Sequence, residues 1–205
     1  MRKLDWRVKS NKRPERVFGS AQDFYGEQEA QRYAASSAMQ NIQEQLALRA
    51  IELLGLPYGS KILDAGCGTG ISMTTAKKVG YKVEGFDSSH AMLSVAKKHR
   101  LKVKHGDLRN IPFDDASFDG VISITALQWI LSRDLERNVS KTVAEMHRVL
   151  KAKGKGAFHF LPESLVQAKK VLRLFQEAFD ASLLIENPDN PRKRKVFLVF
   201  EKRSA

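Results

Sequence analysis

Leu63-Asp64-Ala65-Gly66-Cys67-Gly68-Thr69-Gly70 decides the fold of this 205-residue chain. A short apolar run, Lys61–Ala65, enters it, and a helix-like pattern, Met73–Val79, leaves it. Three glycines at a strand-to-helix junction permit positive φ and let backbone amides approach a ligand closely. The helix N-terminus aims at the same spot and suits a carboxylate or phosphate. Seventeen residues past Gly70, Asp87 closes the next apolar run, Val83–Phe86. An acid at that place accepts the hydroxyls of a ribose.

Outward from this unit the periods alternate. Helix-like Ala91–His99 follows the second strand, Lys102–Lys104 reads as a short third strand and Phe118–Ile124 as the fourth. Lys141–Leu150 is amphipathic, Gly156–Phe160 is a fifth strand, and Leu165–Phe179 is a helix. Leu183–Ile185 and Val196–Phe200 close the chain as two strands joined by Pro188–Lys195. That link is too short for a parallel return, so the last pair is antiparallel. The expectation is an α/β, Rossmann-like fold: a seven-stranded, mostly parallel sheet with an antiparallel last strand and helices on both faces. Upstream, Glu27–Leu54 is helical, broken at Ser36-Ser37 and ended by Gly55 and Pro57. The expected organisation is a basic N-terminal arm over 1–23 and one domain over 24–205, divided into a helical segment (24–57) and the Rossmann-like core (58–205).

Dinucleotide-binding and S-adenosylmethionine-binding folds share a glycine loop and a ribose acid. Three features favour the second. The spacing is Gly-x-Gly-x-Gly. Asp64 precedes the first glycine by two positions, where a carboxylate suits a cationic amino group. Asp107, in Gly106-Asp107-Leu108 after the third strand, is placed to read an adenine amino group. The expected cofactor set is Tyr33, Asp64, Gly66, Gly68, Gly70, Asp87, Ser88, Asp107, Leu108 and Ile124, around S-adenosyl-L-methionine. Cys67 reads as a small residue packed in the loop.

Thirty-five Lys and Arg against 23 Asp and Glu give a net charge of +12, which points to a polyanionic partner. Residues 1–16 alone carry seven Lys or Arg and two acids. Further basic runs lie at Lys97–Lys104, Arg148–Lys155 and Arg192–Lys195. The single cysteine excludes an intrachain disulfide framework and fits a reducing, cytoplasmic setting. No apolar run approaches the ~20 residues that span a bilayer, so no membrane role is expected. His99, His105, His147 and His159 show no metal-ligand spacing, and no metal is expected.

The sequence resembles the class I S-adenosylmethionine-dependent methyltransferases, and within them the small-subunit ribosomal RNA guanine-N7 methyltransferases. Phe24-Tyr25-Gly26-Glu27-Gln28-Glu29-Ala30, Tyr33, Ile42-Gln43 and Arg49–Leu54 carry the resemblance at the N-terminal side. Asp87-Ser88, Ala91-Met92-Leu93, Ile111-Pro112-Phe113, Ser117-Phe118-Asp119 and above all Ile122–Trp129 carry it through the core, and Asn187-Pro188 and Phe197-Leu198-Val199 near the end. The family's aromatic before Pro162 is replaced by Leu161, the Asp107–Pro112 connection is short, and the basic C-terminal extension of eukaryotic members is missing, as in a minimal archaeal-type relative. The resemblance implies a small zinc-binding activator subunit, forming a heterodimer along the edge strand near Lys102–Lys104, and a ribosomal RNA substrate.

The place after the fourth strand reads Thr125-Ala126-Leu127-Gln128-Trp129, without the Asn/Asp-Pro-Pro-aromatic box used for exocyclic amines. Guanine N7 carries a lone pair and no proton, so its methylation needs orientation and no general base. Gln128, Trp129 and Tyr25 are the expected acceptor pocket, with Trp129 placed to stack a splayed guanine. Two alternatives stay open on the residues alone: a small-molecule, quinone-type methyltransferase, and a ribosome-assembly factor with a retained cofactor site.

Overall fold

The computed structural model describes residues 13–132 and 134–203. Seven strands form one sheet in the order β3-β2-β1-β4-β5-β7-β6. β1 (Lys61–Ala65), β2 (Lys82–Asp87), β3 (Val103–His105), β4 (Phe118–Ile124) and β5 (Leu150–Phe160) run parallel. β7 (Lys195–Lys202) is antiparallel to both its neighbours, β5 and β6 (Phe179–Glu186). Pairing starts at β1 and proceeds outward on both sides, so the chain reverses its direction of travel between β1 and β4. The crevice beyond the carboxyl ends of the strands at such a reversal is where open α/β sheets take their ligands.

Each face carries its own core. Leu46, Ala50 and Leu54 of α4 (Ser37–Leu54), Met73 and Ala76 of α5 (Ile71–Val79) and Leu93 and Ala96 of α6 (His90–Lys98) cover one face. Val139, Val143 and Met146 of α7 (Leu135–Val149) and Ala168, Val171 and Phe175 of α8 (Leu165–Gln176) cover the other. The three- and four-residue spacing of these side chains turns one stripe of each helix to the sheet. α3 (Glu27–Ala35) and α4 meet at Ser36, whose hydroxyl accepts the Met39 amide as an N-cap. Gly55 ends α4 in the left-handed region. Among the described residues, no helix is long and apolar enough to cross a membrane.

Several expected boundaries move. α5 begins at Ile71 and α7 at Leu135, earlier than the apolar pattern suggests. The third strand is Val103–His105. β5 begins at Leu150, because Leu150 pairs with Phe118 ahead of a register shift, after which Lys155 pairs with Gly120. That polar Lys151–Lys155 stretch carries no period-two signal. α8 stops at Gln176, and Phe179 opens β6, where it packs on Phe175 and Phe200.

The arm also differs. Residues 1–12 lie outside the described residues. From Arg13 onward, residues assigned to the arm fold as α1 (Pro14–Val17), and α2 (Ala21–Phe24) follows across the expected domain boundary. They are tied to the segment after β5: Arg13 Nη1 donates to the Leu161 carbonyl at 2.8 Å, and Arg16 Nε meets Glu163 Oε1 at 2.6 Å. Partners about 150 positions downstream leave no local pattern to read.

Candidate functional site

One cavity of about 350 Å³ opens at the carboxyl ends of β1, β2 and β4. Its floor is the glycine loop. Gly66 and Cys67 amides both donate to the Phe86 carbonyl at 2.9 Å, which lays the loop against the end of β2. Gly66 has φ +81°, and a Cβ there would lie 2.3 Å from the Ala126 Cβ. Only glycine lets the β1 loop and the segment after β4 approach so closely.

Asp87 organises the second wall. One carboxylate oxygen accepts the Gly68 amide at 2.8 Å and the other the Ser89 amide at 2.8 Å. Each bond uses one of about four acceptor positions on an ionised carboxylate, so capacity remains on the cavity side. Burial raises the Asp87 pKa, and the amides of Ser89, Gly68 and Ser88 oppose that shift. Ser89 caps α6 through its hydroxyl, which accepts the Met92 amide, and the same hydroxyl donates to the Tyr25 carbonyl at 2.9 Å. The N-terminal segment is thus tied through Ser89 to the acid at the end of β2.

Asp64 sits lower than the sequence suggests. It is completely buried and does not reach the cavity surface. Its Oδ2 accepts the Ser72 hydroxyl, Ser72 itself lines the cavity, and Oδ1 has no partner. Burial pushes its pKa up to about 7, the Ser72 bond pulls it down, and Asp87 pushes it up again. Gly70 also leaves the expected set. Its amide turns inward to the Cys67 carbonyl at 2.9 Å, and it borders a separate shallow cleft between α4, α5 and α6.

Asp107 lines the cavity after β3 but is already engaged. Arg109 donates from its amide (2.8 Å) and Nε (2.6 Å) to Oδ1, and from Nη2 (2.8 Å) to Oδ2. Burial alone would raise the Asp107 pKa, yet the Arg109 bonds hold it below the ordinary carboxylate value. Leu108 packs beneath, buried. Ser88 and Ile124 also line the cavity.

The other end of the cavity is aromatic. Tyr25 meets Tyr33 edge-on at 5.8 Å and Trp129 at 5.7 Å, and Phe24 backs Trp129 at 5.7 Å. Burial, then Asp87, pushes the Tyr25 hydroxyl up to about 12, and burial raises Tyr33 further, so both are neutral phenols. Gln128 is not there. It points into protein, 7% exposed, with Oε1 unpartnered. It lies in the 3₁₀ turn Leu127–Ile130, whose tight pitch sends Gln128 and Trp129 to different sides.

Several lining residues escape a sequence reading. Gln43 comes from α4 and donates to Thr125 Oγ1 at 3.2 Å; a glutamine on the buried Leu46–Ala47–Ala50 stripe was the available signal. Thr125 holds φ +56°, a conformation costly for a β-branched residue, which is common at functional sites. Arg109 and Asn138, joined at 3.3 Å, close the far side, and Gly19, Ser20, Ala21 and Gln22 form the outer wall. Cys67 is packed in the loop, and burial pushes its thiol pKa well up, as befits a structural residue. His159 is buried and held neutral, its pKa lowered to about 4 by burial and by Lys195.

A methyltransferase-domain family model matches residues 63–158. The fold matches a crystal structure of a TehB-like SAM-dependent methyltransferase from Corynebacterium glutamicum, TM-score 0.67 at 22% identity, over 87% of this chain and all of that one. It also matches the putative methyltransferase of Haloferax volcanii solved in complex with the Trm112 methyltransferase activator, TM-score 0.64 at 15% identity, over 85% and 98% of the two chains. In fold and in cofactor the chain is a class I S-adenosylmethionine-dependent methyltransferase. The chain is 32% identical to the Schizosaccharomyces pombe 18S rRNA (guanine-N7)-methyltransferase bud23, over 92% of its own length and 74% of that protein's. It belongs to the 18S rRNA guanine-N7 methyltransferase family.

Proposed function

We propose that this chain transfers the methyl group of S-adenosylmethionine to N7 of a guanine in small-subunit ribosomal RNA. The observation that carries the reading is chemical. The cavity joins an acid- and glycine-lined end to an aromatic end, and no described residue lining the aromatic end is poised to take a proton. There is no His or Glu on its wall, Tyr25 and Tyr33 are neutral phenols, Cys67 is a buried thiol, Asp107 is occupied by Arg109, and Asp87 is tied to the Gly68 and Ser89 amides at the glycine-lined end. A hydroxyl or protonated-amine acceptor must give up a proton to react, whereas guanine N7 needs only to be aimed. The identity to a guanine-N7 methyltransferase across the chain supports the same acceptor.

The residues fit the cofactor. Ser72 lines the cavity in front of Asp64, and from behind it the carboxyl, whose buried Oδ1 is unpartnered, would favour the cofactor's cationic amino group. The free acceptor capacity of Asp87 suits ribose hydroxyls, and the Gly66–Gly68 backbone gives the close approach. Ser88, Leu108, Ile124 and Tyr33 border the remainder, and Asp107 reads adenine only by sharing its carboxylate with Arg109. When bound, S-adenosylmethionine supplies an electrophilic methyl on a sulfonium. Trp129 and Tyr25 orient the base by ring contact and keep water from the acceptor end.

Exposed Lys97, Lys98, Arg100, Lys151, Lys153, Arg192 and Lys193 are the phosphate contacts of this reading. They give affinity and salt dependence and leave target choice elsewhere. A small activator subunit, zinc-binding by family resemblance, pairs with β3. That strand is one of the two edges of the sheet among the described residues. Lys104, which would otherwise guard the edge, folds back to the Pro112 carbonyl at 3.0 Å and over the Phe113 ring. The activator seen with the Haloferax volcanii neighbour supports such a partner.

The test is radiolabelled methyl transfer to small-subunit RNA, with and without the activator, followed by nucleoside analysis. The expected product is 7-methylguanosine at one position. Label in a quinone extract and none in RNA would overturn the reading.

A further inference from the structure

We propose that Phe18 is a stacking platform for the nucleotide next to the target guanine. The inference rests on the RNA-acceptor reading above and names a second subsite of it.

Five aromatic rings form one connected run. Phe18 meets Phe24 at 5.1 Å, Phe24 meets Trp129 at 5.7 Å and Tyr25 at 4.7 Å, and Tyr25 meets Tyr33 at 5.8 Å. The run starts at the surface and ends inside the cavity. Tyr25, Tyr33 and Trp129 line the cavity, whereas Phe18 does not; its chain neighbour Gly19 does. Phe18 therefore stands on the rim, two ring steps from the acceptor wall.

The ring is presented, not merely left over. Phe18 is 46% exposed, yet the segment bearing it is pinned on both sides. Upstream, Arg13 and Arg16 bind the Leu161 carbonyl and Glu163; downstream, Ser89 holds the Tyr25 carbonyl. Phe18 itself caps α1, its amide donating to the Pro14 carbonyl at 2.9 Å. Its plane is tilted 56° from Phe24, so no ring covers it face to face. A rigid, half-exposed aromatic costs free energy in water and gains it back on stacking.

A base is the occupant the surroundings favour. Splaying a guanine into the acceptor pocket breaks its stack with both neighbours, and one neighbour gains a new stacking partner at the rim. Stacking on an aromatic side chain is tolerant of base identity and is independent of phosphate contacts. The chain just before Phe18 is strongly basic, with seven Lys or Arg and two acids over residues 1–16. That charge suits the backbone of a nucleic acid and repels a basic protein surface.

The experiment uses the full chain, with its activator if transfer requires it, and a short single-stranded RNA cut around the guanine that becomes labelled. Two further probes carry an abasic sugar on the 5′ or the 3′ side of that guanine. Phe18→Ala should raise the RNA KM about tenfold, with kcat and calorimetric S-adenosylmethionine affinity unchanged. In the wild type, one abasic probe should show the same loss; in Phe18→Ala that probe should cost nothing more. Phe18→Trp should restore the wild-type KM and its sensitivity to the abasic site. Equal KM values, or losses that simply add, overturn the platform. Weaker activator retention in Phe18→Ala, with RNA KM unchanged at saturating activator, makes the surface a protein contact and also overturns it. Failure of the RNA-acceptor reading is distinguishable, because then the wild type labels no RNA probe at all.

Discussion

Replacing Asp64 with Asn removes a buried carboxyl while keeping its outline and its bond from Ser72. Burial is the main reason its pKa rises from 3.8 to about 7. In the unfolded chain the group titrates near its ordinary value. Between pH ~4 and ~7 the native state therefore holds a proton that the unfolded state has lost. The stability contributed by the raised pKa is fully present below pH ~4 and disappears as pH rises through ~7. At about 1.4 kcal/mol per unit, the shift sets a ceiling of roughly 4 kcal/mol. Asn does not titrate. Urea melts of cofactor-free protein from pH 4 to 9 should show wild type losing stability relative to Asp64→Asn by up to this amount, then levelling above pH ~8. Cofactor binding carries the opposite sign. A cation beside Asp64 favours its charged form, so the affinity ratio of wild type to variant, by calorimetry, should grow as pH rises from 6 to 8. Parallel stability curves would refute the buried-carboxyl argument. Equal affinities at pH 8 would remove Asp64 from the cofactor site.

Gly66→Ala places a Cβ 2.3 Å from the Ala126 Cβ at φ +81°. It should cost about 2–4 kcal/mol in urea melts and abolish cofactor binding; wild-type stability would show that the β1 loop and the segment after β4 do not meet. Asp87→Ala unties the Gly68 and Ser89 amides together and should weaken cofactor affinity by about tenfold or more; an unchanged calorimetric Kd would contradict that. With no base at the aromatic end of the cavity, kcat at saturating substrates should be flat from pH 6.5 to 9, and a unit-slope rise of log kcat over that range would reveal one. Gln128→Leu removes a polar atom without a partner outside the cavity; RNA KM should stay unchanged and stability should hold or rise by up to about 1 kcal/mol.

Much of the site's framework was legible in the chain because strand-to-helix junctions are local. The glycine spacing, the acid closing β2 and the alternation of periods each depend on residues within a few positions of one another. They give the seven-stranded sheet, its one antiparallel strand, and the place where Gly66, Gly68, Asp87 and Asp107 gather. Depth was not legible. Whether Asp64 faces the cavity or lies beneath Ser72, and whether Gln128 or Trp129 turns toward it, depends on packing after β1 and on the pitch of one 3₁₀ turn. Asp107 reads as a free acid in sequence; its engagement with Arg109 is a matter of side-chain geometry.

The wall built by residues 13–25 shows the division most clearly. By sequence alone, its first part is a basic arm, since four-residue helices leave no periodic pattern. Its fold comes from contacts with Leu161, Glu163 and Ser89, which lie between 64 and 148 positions away. Local propensity and hydrophobic period determined the class of the fold and the glycine-lined end of the cavity. Long-range contacts, whose partners only a finished sheet brings together, decided the aromatic end and which side chains reach it.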